Sequence, residues 1–234
     1  MSTKTYGDKG TARIVGTLYI IGTVAGVLST SFLKARNEPD YLAKIAENPN
    51  SLVIGAILTL VMGFALALIP AFMFPVLKKH SETAGIGYII FRGGLETCTY
   101  IISAVCYLAL SSLSVLYMAG GDAVQLLGAG EAIKAIANSS VGAFAFGIGA
   151  LIFYTALYKY KLIPRWISAF GFIAAFLHIA SGTLVLFGLQ EPFDTGSMIM
   201  NLPIALQEMI MAVWLIVKGF RCDKCADESA SVTA

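Results

Sequence analysis

Long runs without one charged side chain are what most constrain the fold of this sequence. No Asp, Glu, Lys or Arg occurs from Val53 to Val76, from Ala135 to Tyr158, or from Trp166 to Gln190. A helix needs about 20 mostly apolar residues to cross about 30 Å of hydrocarbon. Six segments meet that requirement: 12–34, 53–77, 84–117, 138–159, 166–188 and 197–219. The third is longer than a crossing needs, which predicts tilt or a projecting end. The chain is 57% hydrophobic and 13% charged, whereas soluble domains are about a quarter charged. The expected fold is an all-α integral membrane protein, a six-transmembrane-helix bundle forming one domain over 1–220. Residues 221–234 read as a flexible polar tail. The start, "MSTKTYGDKGTAR", leads into an apolar stretch too long for a signal-peptide core, so the first segment reads as an uncleaved membrane helix.

Basic residues orient the bundle. Lys4, Lys9, Arg13, Lys78, Lys79, Lys159, Lys161, Arg165, Lys218, Arg221 and Lys224 fall on the side of both termini, against Lys34, Arg36, Lys44 and Lys134 on the other. That asymmetry predicts cytoplasmic termini. The net charge of +2 and scattered basic residues give no footprint for nucleic acid. The expected partner is the lipid bilayer.

Against this background, "FRGGLETC" raises a chemical question. Arg92 and Glu96 are four residues apart in an otherwise apolar segment. With Ser81 as the helix N-cap, Arg92 lies about 16 Å and Glu96 about 22 Å along the helix. Glu208 lies ten residues before Lys218 in the last segment, about 15 Å from that boundary, and so reaches a comparable depth. His178 falls near the midplane in the fifth segment, and Arg13 about a turn into the first. A charge at the bilayer centre costs about 2.5–3.5 kcal/mol on insertion scales, so such groups seek partners inside the bundle. Arg92 and Glu96 share a helix face and pair directly. Glu208 then binds Arg92 from across the bundle, stays protonated, or meets Arg13 or His178. Two carboxyls and one guanidinium leave room for one labile proton. The cluster is either a polar clamp between helices or part of a cavity that binds a substrate or carries protons.

Proline and glycine mark further positions. Pro203 deprives the Ile199 carbonyl of its helical partner and predicts a kink; Pro70 and Pro75 act likewise near the end of the second segment. Asn201 and Gln207 either repair the Ile199 carbonyl or line the cavity. Gly22 and Gly26 form a GxxxG, a close-packing signal within the chain or between two copies. Tyr41, Leu42 and Ile45 in the first connection form a short interfacial face, and Leu126, Leu127, Ile133 and Ile136 suggest an interfacial helix interrupted by glycines. Tyr154 and Tyr158 read as interfacial anchors. Cys222 and Cys225 form one CxxC near the C-terminus, which supplies at most two ligands, so no zinc site is expected. No nucleotide-binding or hydrolase fingerprint occurs, and no cofactor can be named.

Four phrases together carry a resemblance: "ARIVGTLYIIG" at 12–22, "PVLKKHSETAGIGYIIFRGGLE" at 75–96, "LYKYKLIPRWISAFGFI" at 157–173 and "PIALQEMIMAVWLIVKGF" at 203–220. In that order and spacing the chain resembles the bacterial multi-pass membrane proteins grouped as domain of unknown function 4386. The likeness implies a small bacterial inner-membrane protein with no assigned activity. It also implies that Arg13, Arg92, Glu96 and Glu208 belong to the family pattern. Gly93 and Gly94 stand where relatives carry bulkier residues, either opening space beside Arg92 or easing packing.

Three functions follow. The first is binding or transport of a small molecule or lipid between the third, fifth and sixth segments, Arg92 holding an anionic group and Glu96 or Glu208 receiving a proton. No inverted repeat supports this, although a homodimer would remedy the small size. The second is an enzyme using the Glu pair for acid–base work on a lipid or quinone, for which no nucleophile or metal-ligand set is present. The third is a structural or regulatory membrane protein whose cluster sets helix register.

Overall fold

A computed structural model describes residues 9–192 and 194–221, and every regular element among them is helical. Helix α1 (Lys9–Phe32) is followed by a 3-10 turn (Lys34–Asn37), α2 (Tyr41–Glu47) and α3 (Pro49–Lys78). Helix α4 (Glu82–Tyr88), a π-helical segment (Ile89–Leu95) and α5 (Glu96–Met118) then run end to end. They are followed by α6 (Ala123–Ala137), α7 (Val141–Lys159), α8 (Arg165–Leu186) and α9 (Thr195–Val217). Six stretches are long and apolar enough to cross a membrane, with α4 through α5 counted as one and α6 joined to α7 in another. Cys222 and Cys225 lie outside the described residues.

The starts and stops have local causes. Ser81 accepts from the Ala84 N–H at 3.2 Å, capping α4, and Asp122 accepts from the N–H groups of Val124 and Gln125, capping α6. At the head of α9, the Asp194 carboxylate accepts from the Ser197 N–H at 2.6 Å. That bond, with another from Gln190, holds the Asp194 carboxyl below the usual carboxylate range. The helix breaks at 138–140, so α7 starts at Val141, three residues after the expected segment start at 138.

The spans form a closed ring. Helix α1 packs on α3, α3 on α5 and the π segment, the π segment and α4 on α7, α7 on α8, α8 on α9, and α9 returns to α1. Association in lipid gains little from hydrophobic burial and depends on close packing of small residues. A Cβ at Gly22 would lie 2.8 Å from Leu66 Cδ2, and one at Gly26 would lie 2.6 Å from Met62 Sδ. The GxxxG face is therefore occupied by α3 of the same chain. At the opposite contact of α1, a Cβ at Gly16 would lie 2.6 Å from the Ala212 carbonyl oxygen.

The ring is filled at one end and hollow towards the other. Tyr19, Tyr88, Phe153, Tyr154, Ile163 and Ile167 pack into one buried core at the end where α1 begins and α9 finishes. Tyr154 is therefore a core residue and not the expected interfacial anchor. Its hydroxyl finds a buried acceptor, and burial next to that acceptor outweighs a place in the headgroups. Tyr158 remains 45% exposed, with the Arg165 guanidinium over its ring at 5.1 Å. A second correction concerns Tyr41, Leu42 and Ile45. They are buried against α3 and α5, because α2 is folded back onto the bundle instead of lying on the bilayer surface. The Tyr41 hydroxyl donates to the Leu127 carbonyl at 3.2 Å. Burial and nearby Glu131 push its pKa up to about 12, so it stays a donor. Helix α6 runs unbroken through Gly128 and Gly130. Leu126 and Ile133 face the α2–α5 cluster, while Ile136 is exposed.

Gly16→Ala drives a methyl group into a backbone carbonyl that cannot rotate away. The expected loss is about 1–3 kcal/mol, the usual cost of overpacking, seen as a lower unfolding temperature in detergent. Gly10→Ala, where nothing lies within 4 Å, should show no loss.

Candidate functional site

The π segment sets the geometry of the site. The Glu96 N–H donates to the Phe91 carbonyl five residues back, where an α-helix would use the fourth. One extra residue in a turn rotates everything downstream by about 100° relative to an uninterrupted helix. Gly93 and Gly94 lie inside this wide turn, and glycine costs about 1 kcal/mol against alanine in a regular helix interior, so little helix stability is lost here. A Cβ at Gly93 would lie 3.2 Å from Pro70 Cγ, whereas a Cβ at Gly94 would meet only the Ile89 carbonyl oxygen, at 3.8 Å. On the other side Gly149 of α7 approaches so closely that its Cβ would lie 3.2 Å from the Arg92 backbone nitrogen.

Arg92 is 2% exposed and Glu96 1%. Arg92 Nη1 donates to both Glu96 oxygens at 2.9 and 3.0 Å, and Nη2 donates to Glu208 Oε1 at 2.9 Å. The guanidinium thus joins the π segment to α9, 116 residues away in sequence. Its Cζ lies 4.5 Å from the Phe146 ring centroid, a cation–π contact from α7. Tyr100 donates to Glu96 Oε1 at 2.7 Å. Beneath the cluster the hydroxyls of Tyr19 and Tyr88 are 3.2 Å apart.

The cluster floors a cavity of about 490 Å³. All six spans contribute to its wall, which carries Thr23, Ser29, Thr59, Thr99, Ser103 and Ser181 among its hydroxyls. It extends from Arg92, Glu96 and Glu208 to Arg36, Asn138, Ser139 and Pro192 in the connections at the α1 C-terminal end.

The expected site residues divide into three groups. Arg92, Glu96 and Glu208 come together. His178 and Asn201 join them on the cavity wall, His178 Nδ1 lying 2.7 Å from Asn201 Oδ1. Arg13 and Gln207 do not. Arg13 is exposed on the outer face of α1, because the inward face at that level is taken by Ala12, Val15 and Gly16. Gln207 is buried behind the cavity, accepting from the Tyr154 hydroxyl at 2.6 Å and donating to the Ile167 carbonyl at 3.2 Å. Asn201 donates to the Ser181 and Ser197 hydroxyls, so neither amide repairs the Ile199 carbonyl. Sequence reasoning missed Tyr100, Phe146 and the serine pair. The i, i+4 spacing of Glu96 with Tyr100 and of Ser197 with Asn201 carried a usable signal.

The sequence profile described as Domain of unknown function (DUF4386) matches residues 14–219. The chain belongs to the DUF4386 family. No curated protein and no solved structure matches it significantly. The DUF4386 match covers the whole helical ring from the second turn of α1 to the end of α9, including Arg92, Glu96 and Glu208.

Two substitutions separate the energetics of the cluster. Arg92→Met leaves two buried carboxylates without their cation and should cost about 3–5 kcal/mol, a large fall in detergent unfolding temperature. Glu208→Gln keeps an acceptor for Nη2 and leaves the Glu96 pair intact, so its unfolding temperature should stay close to wild type.

Proposed function

We propose that this protein binds a small polar molecule or a lipid headgroup in the cavity floored by Arg92, Glu96 and Glu208, and passes it into or across the bilayer. The reading rests on one observation: a buried ion-paired cluster is also the floor of a hydroxyl-lined cavity that reaches the connecting loops. Fixing helix register alone does not call for a hydroxyl-lined cavity of about 490 Å³ beside the ion pairs. Ionisable groups within membrane spans mark pathways and binding sites as a rule.

In this reading residues 1–220 form one domain of a bacterial inner-membrane protein, with the remainder a cytoplasmic tail. Both termini face the cytoplasm, in keeping with the excess of basic residues on that side. The cavity then opens to the outer face, and the aromatic core around Tyr19, Tyr88 and Tyr154 closes the inner one. Passage would require that core to part, a rearrangement of the ring during turnover. Acid–base chemistry on a bound lipid or quinone is the second reading, favoured by the two carboxylates at the floor.

Cysteine labelling tests this directly. In cells carrying a variant with its four native cysteines replaced by serine, Ser139→Cys at the mouth and Thr99→Cys near the floor should both react with a small methanethiosulfonate added outside. Tyr154→Cys, below the floor, should not. Absence of reaction at Thr99→Cys, with Ser139→Cys labelled, would mean a closed interior and would remove the binding reading.

A further inference from the structure

We infer that the cavity takes a ligand group that donates hydrogen bonds, a protonated amine, and that His178 and Glu208 are the two acceptors that receive it. The inference rests on the cavity being a binding site and names the class of ligand it selects.

Arg92 is the obvious anchor for an anion, yet both its terminal nitrogens are engaged, Nη1 by Glu96 and Nη2 by Glu208. Nε has no hydrogen-bond partner among the described residues but is buried away from the cavity, so an anion entering the cavity meets a guanidinium whose terminal nitrogens already face carboxylates at 2.9 Å. Glu208 is different. Only Oε1 is bonded; among the described residues Oε2 accepts no hydrogen bond, and the side chain keeps 14% exposure on the cavity wall. One guanidinium faces two carboxylates, so the open position at the floor is an acceptor in an electronegative setting.

His178 supplies a second acceptor, and its tautomer can be deduced. The Ser197 hydroxyl donates to the Pro192 carbonyl at 3.0 Å, and a carbonyl can only accept. Ser197 has then spent its only hydrogen, so its contact with Asn201 at 3.2 Å requires an Asn201 N–H as donor. The amide nitrogen of Asn201 therefore faces the serines, and its oxygen faces His178. That oxygen needs a hydrogen from His178 Nδ1, 2.7 Å away. The neutral imidazole consequently carries its proton on Nδ1 and a lone pair on Nε2. Nε2 makes no hydrogen bond among the described residues and is not among the buried atoms lacking a partner, so it keeps accessible surface on a residue that lines the cavity. The imidazole and the Arg92 guanidinium both lie against Phe146, at 4.7 and 4.5 Å from its centroid. Nε2 and Glu208 Oε2 are thus two acceptors on the wall of one cavity, linked through Phe146 and Arg92. An ammonium group donates to such acceptors and gains charge-assisted bonds; a carboxylate has no hydrogen to donate to either.

The test pairs two probes of like shape and opposite charge, 2-phenylethylamine and phenylacetate, added to the full-length protein in lipid nanodiscs. A ligand that binds only the folded state raises the unfolding temperature in a saturable way. The amine should do so and phenylacetate should not. Glu208→Gln and His178→Phe should each weaken the amine effect about tenfold, the loss of one hydrogen bond to a charged group. Asn201→Leu, which keeps the imidazole and removes its lock, should weaken it as well and keeps the test open should His178→Phe fail to fold. Nitrogen NMR of 15N-histidine protein carrying His80→Gln reports the tautomer without any ligand. Wild-type His178 should show a protonated Nδ1 and an unprotonated Nε2, and Asn201→Leu should lose that preference. Stabilisation by phenylacetate alone, or a protonated Nε2 in neutral His178, overturns the inference. If neither probe stabilises the protein while Thr99→Cys is labelled, the amine class is wrong and the binding reading stands. If Thr99→Cys is not labelled either, both fall.

Discussion

A guanidinium deep in an apolar bundle has to be neutralised where it stands, and the rest of this structure depends on how that is done. Arg92 takes one carboxylate from its own helix and one from the far end of the chain. The local pair is made at i, i+4 across the end of the π turn. The distant pair needs α9 to close the ring against α1 and α8. Removing a partner leaves an uncompensated buried charge, which is why such contacts are costly to break even when their net contribution to stability is small.

The ring around this ion-paired cluster also has a hollow. Small residues bring neighbouring spans together around the perimeter, while the cluster, with Tyr100 and Phe146, occupies the interior at one level only. Below that level large aromatic and aliphatic side chains fill the centre. Above it the inward positions carry serine, threonine and glycine, whose short side chains cannot meet across the ring. Space and polarity therefore have a common origin in the choice of small hydroxylated residues on inward faces.

Much of this was legible in the chain itself. Long apolar stretches indicate the number of crossings, and counting rise per residue from the helix ends placed Glu208 at a depth similar to that of Glu96. The reach from Arg92 to Glu208 was open to reasoning because few partners exist for a charge in lipid. Other features were not legible. The π turn depends on what packs against Gly93 and Gly149, which is tertiary information. Arg13 faces outward because small residues flank it on the inward side, and that phase could not be read without knowing the neighbour of α1. Tyr154 and the face of α2 looked interfacial because amphipathic residues look alike whether the polar atom meets a headgroup or a buried amide. The cavity wall was assigned to three spans and is built from six, because ring closure is a property of the order in which helices pack.

The central claim is that Arg92 and Glu208 are in direct contact and act as a unit. A double-mutant cycle measures that most directly, using Arg92→Met, Glu208→Gln and the double variant, each scored by unfolding free energy in the same lipid. Groups in one ion-paired network couple by about 0.5–3 kcal/mol, and the account predicts a coupling in that range, the double variant losing less than the two single losses combined. Additive losses would place the two side chains apart and contradict it.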